Sequence, residues 1–143
     1  MNETCFFFFL AFLASGFPSG APTDACFSMI PRHMDPVTNN QVLSQNSNSS
    51  FDISVDKSNF EIGEAVKVTI YGPPFKGLFL VAVKDKSNNM PSGRFYHEND
   101  LVKTISCSNK NDGITHTSDK WKDSVEVKWY GPDHSNIDEI HFR

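Results

Sequence analysis

The chain has 143 residues and carries 13 basic against 17 acidic side chains, a formal net charge of −4. That length bounds it to one domain, or to one domain and a processed segment. The mild acidity and the lack of a polybasic run argue against electrostatic binding to nucleic acid or to a membrane surface.

Residues 1–16 read as a signal peptide. Phe6 to Leu13 is an apolar run, and Ala14-Ser15-Gly16 places small residues where a signal peptidase cuts. Met1 to Cys5 departs from the pattern, with Glu3 and no Lys or Arg. Cleavage after Gly16 would leave a domain over 17–143, with 13 basic and 16 acidic residues. No later stretch has membrane-spanning length, so no membrane insertion of the mature chain is expected. The product is expected to be secreted, or to be the ectodomain of something longer.

Cys5 would leave with the signal peptide. Cys26 and Cys107 remain, an even pair in an oxidising compartment, and a disulfide is expected rather than two free thiols. Closing a loop of about 80 residues is worth roughly 4 to 5 kcal/mol in the chain-entropy account.

Phe17 to Cys26 is extended and rich in turn residues, a loose arm unless Cys26 staples it. Met29-Ile30-Pro31-Arg32-His33 continues it. Pro36 to Ser50 is polar and rich in Asn, Gln and Ser, which predicts a mobile surface loop. It holds the N-glycosylation sequon Asn48-Ser49-Ser50.

From Phe51 the pattern turns β. Phe51, Ile53 and Val55 alternate with polar residues; Asn59 to Glu64 reads as a short strand before a turn; Val66, Val68 and Ile70 mark a half-buried strand over 65–71. Gly72-Pro73-Pro74 is expected to end that strand, because two prolines remove two backbone donors. Leu78 to Val83 is continuously apolar and predicts the central buried strand. Lys84 to Gly93 reads as a polar connection. Further strands are expected at Arg94-Phe95-Tyr96, Leu101 to Cys107, Ile114 to Thr117, Asp123 to Tyr130 and from Glu139 to Phe142. Short, evenly spaced strands without a helical period predict an all-β antiparallel sandwich with Greek-key links.

Three blocks of this chain resemble the Reelin (Reeler) domain family: Pro18 to Cys26 with Met29 to His33; Gly72-Pro73-Pro74-Phe75-Lys76-Gly77-Leu78-Phe79-Leu80; and Cys107 with Ile114 to Thr117 and Val125 to Trp129. The resemblance implies an immunoglobulin-like sandwich with Cys26 and Cys107 bridged. It also implies a strand beyond Phe142, so the C-terminal edge is expected to be incomplete and open to association. It offers three contexts. One is a secreted innate-immune or defence protein that binds microbial cell-wall components. A second is the ectodomain of a ferric-chelate-reductase-like membrane protein, whose electron transfer lies in other domains. The third is an extracellular-matrix or adhesion module of the spondin kind.

The residues themselves present no catalytic constellation. There is no Gly-x-Ser-x-Gly elbow, and the five histidines are scattered without metal-ligand spacing. His116 is expected as a packed or surface side chain. Asp112 and Asp119 could make a weak calcium site, but turn formation explains them more simply. No cofactor is expected, and Cys26 and Cys107 lack the CxxC context of redox thiols. Trp129 falls on the inward face of its strand. Trp121, between Lys120 and Lys122, is the better candidate for stacking on a sugar. Phe75 and Lys76 are a second candidate contact, although packing is the simpler role there.

Overall fold

The computed structural model describes residues 17–30, 32–44, 46–133 and 139–143; the expected signal segment 1–16 lies outside them. Among these residues, one sheet has the strand order β1 (Asp52–Val55), β2 (Ala65–Phe75), β8 (Lys122–Tyr130), β5 (Arg94–Tyr96). The second has the order β4 (Asn88–Pro91), β3 (Phe79–Asp85), β7 (Gly113–His116), β6 (Val102–Ile105), and β9 (His141–Phe142) also pairs with β3. All pairings are antiparallel. The only helix among the described residues is one turn, α1 (Ala25–Ser28), closed by Met29 in the left-handed conformation.

Period-2 patterning builds the core. Val66 faces Trp129, Val68 faces Val127 and Ile70 faces Val125 across the β2–β8 ladder. These pairs lie on one face and meet Leu80 and Ala82 of β3, Val102 of β6 and Ile114 of β7. Trp129 is fully buried, edge-on to Phe60 at 5.0 Å and to Phe142 at 5.5 Å, and its indole N–H donates to the Ser92 carbonyl at 2.9 Å. A Cβ at Gly93 would collide with the Trp129 indole and the Tyr130 carbonyl, and its φ of +77° lies in the left-handed region, so only glycine serves there. Leu80 to Val83 are buried on both faces of their sheet, as the continuous apolar run predicts.

Several expectations need correction. Gly72-Pro73-Pro74 does not end its strand. β2 runs on to Phe75, and the register against β8 shifts between Tyr71 and Phe75. A bulge absorbs the residues that cannot donate, so the prolines interrupt the ladder rather than the strand. A Cβ at Gly72 would lie 2.7 Å from the Ser50 carbonyl oxygen, which explains the glycine. Asn59 to Glu64 is a turn, closed by the Glu64 amide on the Glu61 carbonyl, not a strand. The polar connection after β3 contains β4, which folds back as a hairpin. Residues 33–42 form a small antiparallel turn: Asp35 accepts from the Val37 and Thr38 amides, and Met34 bridges to Gln41. β1 keeps its alternation, yet all four of its residues are exposed.

Candidate functional site

The segment after the bulge puts three consecutive residues to different tasks. Phe75 is buried and packs edge-on to Phe51 at 5.7 Å. Lys76 is exposed, with its ammonium 5.0 Å from the centre of the Trp121 ring. Gly77 lies under the His116 ring, 3.4 Å from where its Cβ would stand. Of the three candidate contact residues, the fold thus brings Trp121 and Lys76 together and commits Phe75 to packing.

Trp121 is 67% exposed, so its face is available to a ligand. Lys120 beside it is also exposed, and Lys76 adds a second positive charge at the ring. An aromatic face flanked by ammonium groups can stack on a sugar ring while pairing with phosphate or carboxylate substituents.

Beneath the platform sits a residue that sequence reasoning missed. Lys122 is only 3% exposed. Its ammonium donates to the carbonyls of Lys76 at 2.6 Å, Ser118 at 2.8 Å and Lys120 at 2.8 Å. An ammonium has three protons, and all three are taken. The clasp joins the end of β2 to the turn that carries Trp121. Burial holds the Lys122 pKa below the ordinary lysine value, and Asp119 opposes that shift. No sequence signal marks the burial, because a lysine beside an exposed tryptophan reads as solvent-facing.

His116 anchors the neighbouring arm. The Phe17 carbonyl can only accept, so Nε2 carries the proton and donates at 2.7 Å; Nδ1 then accepts from the Leu78 amide at 3.2 Å. The Ala21 amide donates to Thr115 Oγ1 at 2.7 Å. The N-terminal arm is therefore tied down at two points before the staple is reached. Cys26 is completely buried and bonded to Cys107, with the Cα atoms 5.7 Å apart.

Asp112 is fully buried, and its carboxylate accepts from the amides of Cys107, Ser108 and Asn109 at 2.6, 2.8 and 2.6 Å. Its oxygens hold the cysteine loop, as turn formation requires, while Asp119 is exposed. Among the described residues no group of three or more His, Cys, Asp or Glu side chains is placed to hold a metal ion. Asn48 is exposed, and no helix of the described residues is long and apolar enough to cross a membrane.

The family model described as Reeler domain matches residues 24–143. A ferric-chelate reductase 1 from Bos taurus is 32% identical over 127 residues, covering 86% of this chain and 20% of that protein. A putative ferric-chelate reductase 1 from Xenopus laevis is 34% identical over 125 residues, again 20% of its length, so the chain spans about a fifth of these relatives. Putative defense protein 3 of Antheraea mylitta is 28% identical over 126 residues, covering 85% of this chain and 71% of that protein. The human F-spondin reeler domain (fragment 2) superposes with a TM-score of 0.59 at 16% identity, over 75% of this chain and 80% of that one.

Proposed function

The chain belongs to the Reeler domain family, and on that premise we propose that it is a non-enzymatic, secreted binding module that recognises microbial surface components in a defence role. The observation that carries this reading is the exposed Trp121 ring with Lys76 at 5.0 Å and Lys120 alongside. Such a platform suits sugars bearing phosphate or carboxylate groups. The similarity to the Antheraea mylitta defense proteins supports the same reading. On it, residues 1–16 leave as a signal peptide and Asn48 carries a glycan.

The test is retention of the purified protein on bacterial and fungal cell walls, against an unrelated β-sandwich of similar charge. Saturable retention is expected, and Trp121→Ala is expected to weaken it by on the order of tenfold, as for a buried aromatic contact at an interface. Absence of binding by the folded, bridged protein would refute the reading.

A second reading rests on the 32% identity to the Bos taurus ferric-chelate reductase 1. In it the same fold is an outer module of a longer reductase-like membrane protein, and electron transfer lies in other domains. A transcript that continues into haem-ligating transmembrane helices would favour it. A matrix or adhesion role is the third reading, and retention on heparin-like polymers in place of cell walls would favour that one.

A further inference from the structure

The N-glycosylation sequon Asn48-Ser49-Ser50 stands at the same end of the molecule as the Trp121 ring. The register places it there. β1 and β8 flank β2 on opposite sides, and both run antiparallel to it. Asp52 and Ser124 both lie opposite Tyr71, one from each side. Moving away from those pairs, residues 51 to 48, 72 to 76 and 123 to 121 all travel in one direction. They leave the same end of the sheet together. Neighbouring strands stand about 4.8 Å apart, so the ends of β1 and β8 are separated by about 10 Å.

The chain before β1 stays close to that end. A Cβ at Gly72 would lie 2.7 Å from the Ser50 carbonyl oxygen and 2.8 Å from the Phe51 ring, so both residues press on the bulge. Phe51 packs edge-on to Phe75, and Phe75 lies opposite Lys122, the neighbour of Trp121. The Ser49 hydroxyl accepts from the Phe51 amide and donates to the Phe51 carbonyl, each at 3.0 Å, which bends the chain between them. Asn48 is two residues from Ser50, at most about 7 Å. Its side chain and the Trp121 ring are both exposed.

We propose, on the reading of Trp121 as a sugar platform and of Asn48 as glycosylated, that the platform is occupied by this chain's own Asn48 glycan. An outside ligand must displace it. A sugar on a short flexible tether reaches an effective concentration of about 1 mM or more. With an intrinsic Kd of about the same size, it covers the ring about half the time. The core sugars of an N-glycan carry no charge. They stack on the indole but leave the ammonium groups of Lys76 and Lys120 unused. A sugar bearing phosphate or carboxylate engages the ring and the ammonium groups together, and it displaces the glycan. The glycan thus sets a threshold that uncharged sugars do not pass.

The test compares the secreted protein with Asn48→Gln and Ser50→Ala, each of which destroys the sequon. Peptide mass mapping should find a glycan on Asn48 of the wild type, and an unmodified Asn48 would overturn the proposal. Trp121 and Trp129 supply the only two indole N–H signals in the NMR spectrum. Both substitutions should shift the Trp121 signal. That of Trp129, buried on the Ser92 carbonyl, should stay in place. An unmoved Trp121 signal would overturn the proposal. Retention on bacterial cell walls should rise about twofold or more in both variants, as the half occupancy requires. Saturable retention that is unchanged or lower would also overturn it. Enzymatic release of the glycan from the folded wild type should reproduce both changes, and it replaces any variant that is not secreted. If no form binds cell walls yet the Trp121 signal still shifts, the glycan docks as proposed and the defence reading is refuted instead.

Discussion

Replacing Lys122 with Met tests whether a buried ammonium holds the Trp121 platform together. Three hydrogen bonds from a charged donor would be lost, each worth roughly 1.5 to 3 kcal/mol in mutational series. Against that, the ammonium no longer has to be stripped of water, a cost of several kcal/mol for a buried ion. Met keeps most of the packing of the aliphatic stem. Lys76 and Lys120 lie at the surface, so water can reach their orphaned carbonyls once the turn loosens. The balance is a net loss of about 1 to 3 kcal/mol, because water replaces part but not all of the clasp. For a domain of this size that corresponds to a fall in Tm of roughly 3 to 12 °C. Urea unfolding should show a lower midpoint at unchanged slope, and the amide of Trp121 should exchange faster than in the wild type. The pH dependence has a definite sign. The folded pKa of Lys122 lies below the ordinary 10.5, so the unfolded chain binds more protons between the two values. Wild-type stability relative to the Met variant should therefore rise as pH climbs through that window. An unchanged or raised midpoint, with Trp121 exchange unaltered, would refute the idea that the clasp positions the platform.

Truncation of the core tryptophan, Trp129→Ala, should cost about 3 to 5 kcal/mol and is read from the shift in urea midpoint. Converting Cys26 and Cys107 together to Ser should cost about 2 to 5 kcal/mol by the same assay, while non-reducing peptide mass mapping of the wild type should recover the bridged pair. Asp35 is held below the ordinary carboxylate range by the amides of Thr38 and Val37. Its contribution to the 33–42 turn is present at neutral pH and is lost as pH falls through its lowered folded value. NMR titration should show the Val37 and Thr38 amides moving together with a midpoint below 3.8, and Asp35→Asn should flatten that titration.

What could be read beforehand followed the physics of periodicity. Val66, Val68, Val125, Val127 and Trp129 alternate, so their inward face was legible, and the uninterrupted run at Leu80 to Val83 marked a strand buried on both faces. Cys26 and Cys107 were legible from parity and compartment. Features set by tertiary contact were not. The strand through Gly72-Pro73-Pro74 survives only because a bulge against β8 excuses the missing donors, and no local rule anticipates that partner. β4 has a polar sequence and forms because β3 offers it an edge. At the candidate site, the exposure of Trp121 was foreseen, but its pairing with Lys76 joins residues brought together by the β2–β8 register. Burial of Lys122 arises from carbonyls supplied by two other segments, which no single-residue property encodes.

The β2–β8 ladder has a consequence for how the molecule is made. Its two strands are the longest in the fold, and five strands are synthesised between them. A chain emerging N-terminus first presents Val66, Val68 and Ile70 long before Val125, Val127 and Trp129 exist to cover them. The apolar face of β2 must wait, uncovered, for almost half the domain to be translated. Contacts this distant in sequence make for slow folding. During that interval the uncovered apolar face of β2 is open to misassociation.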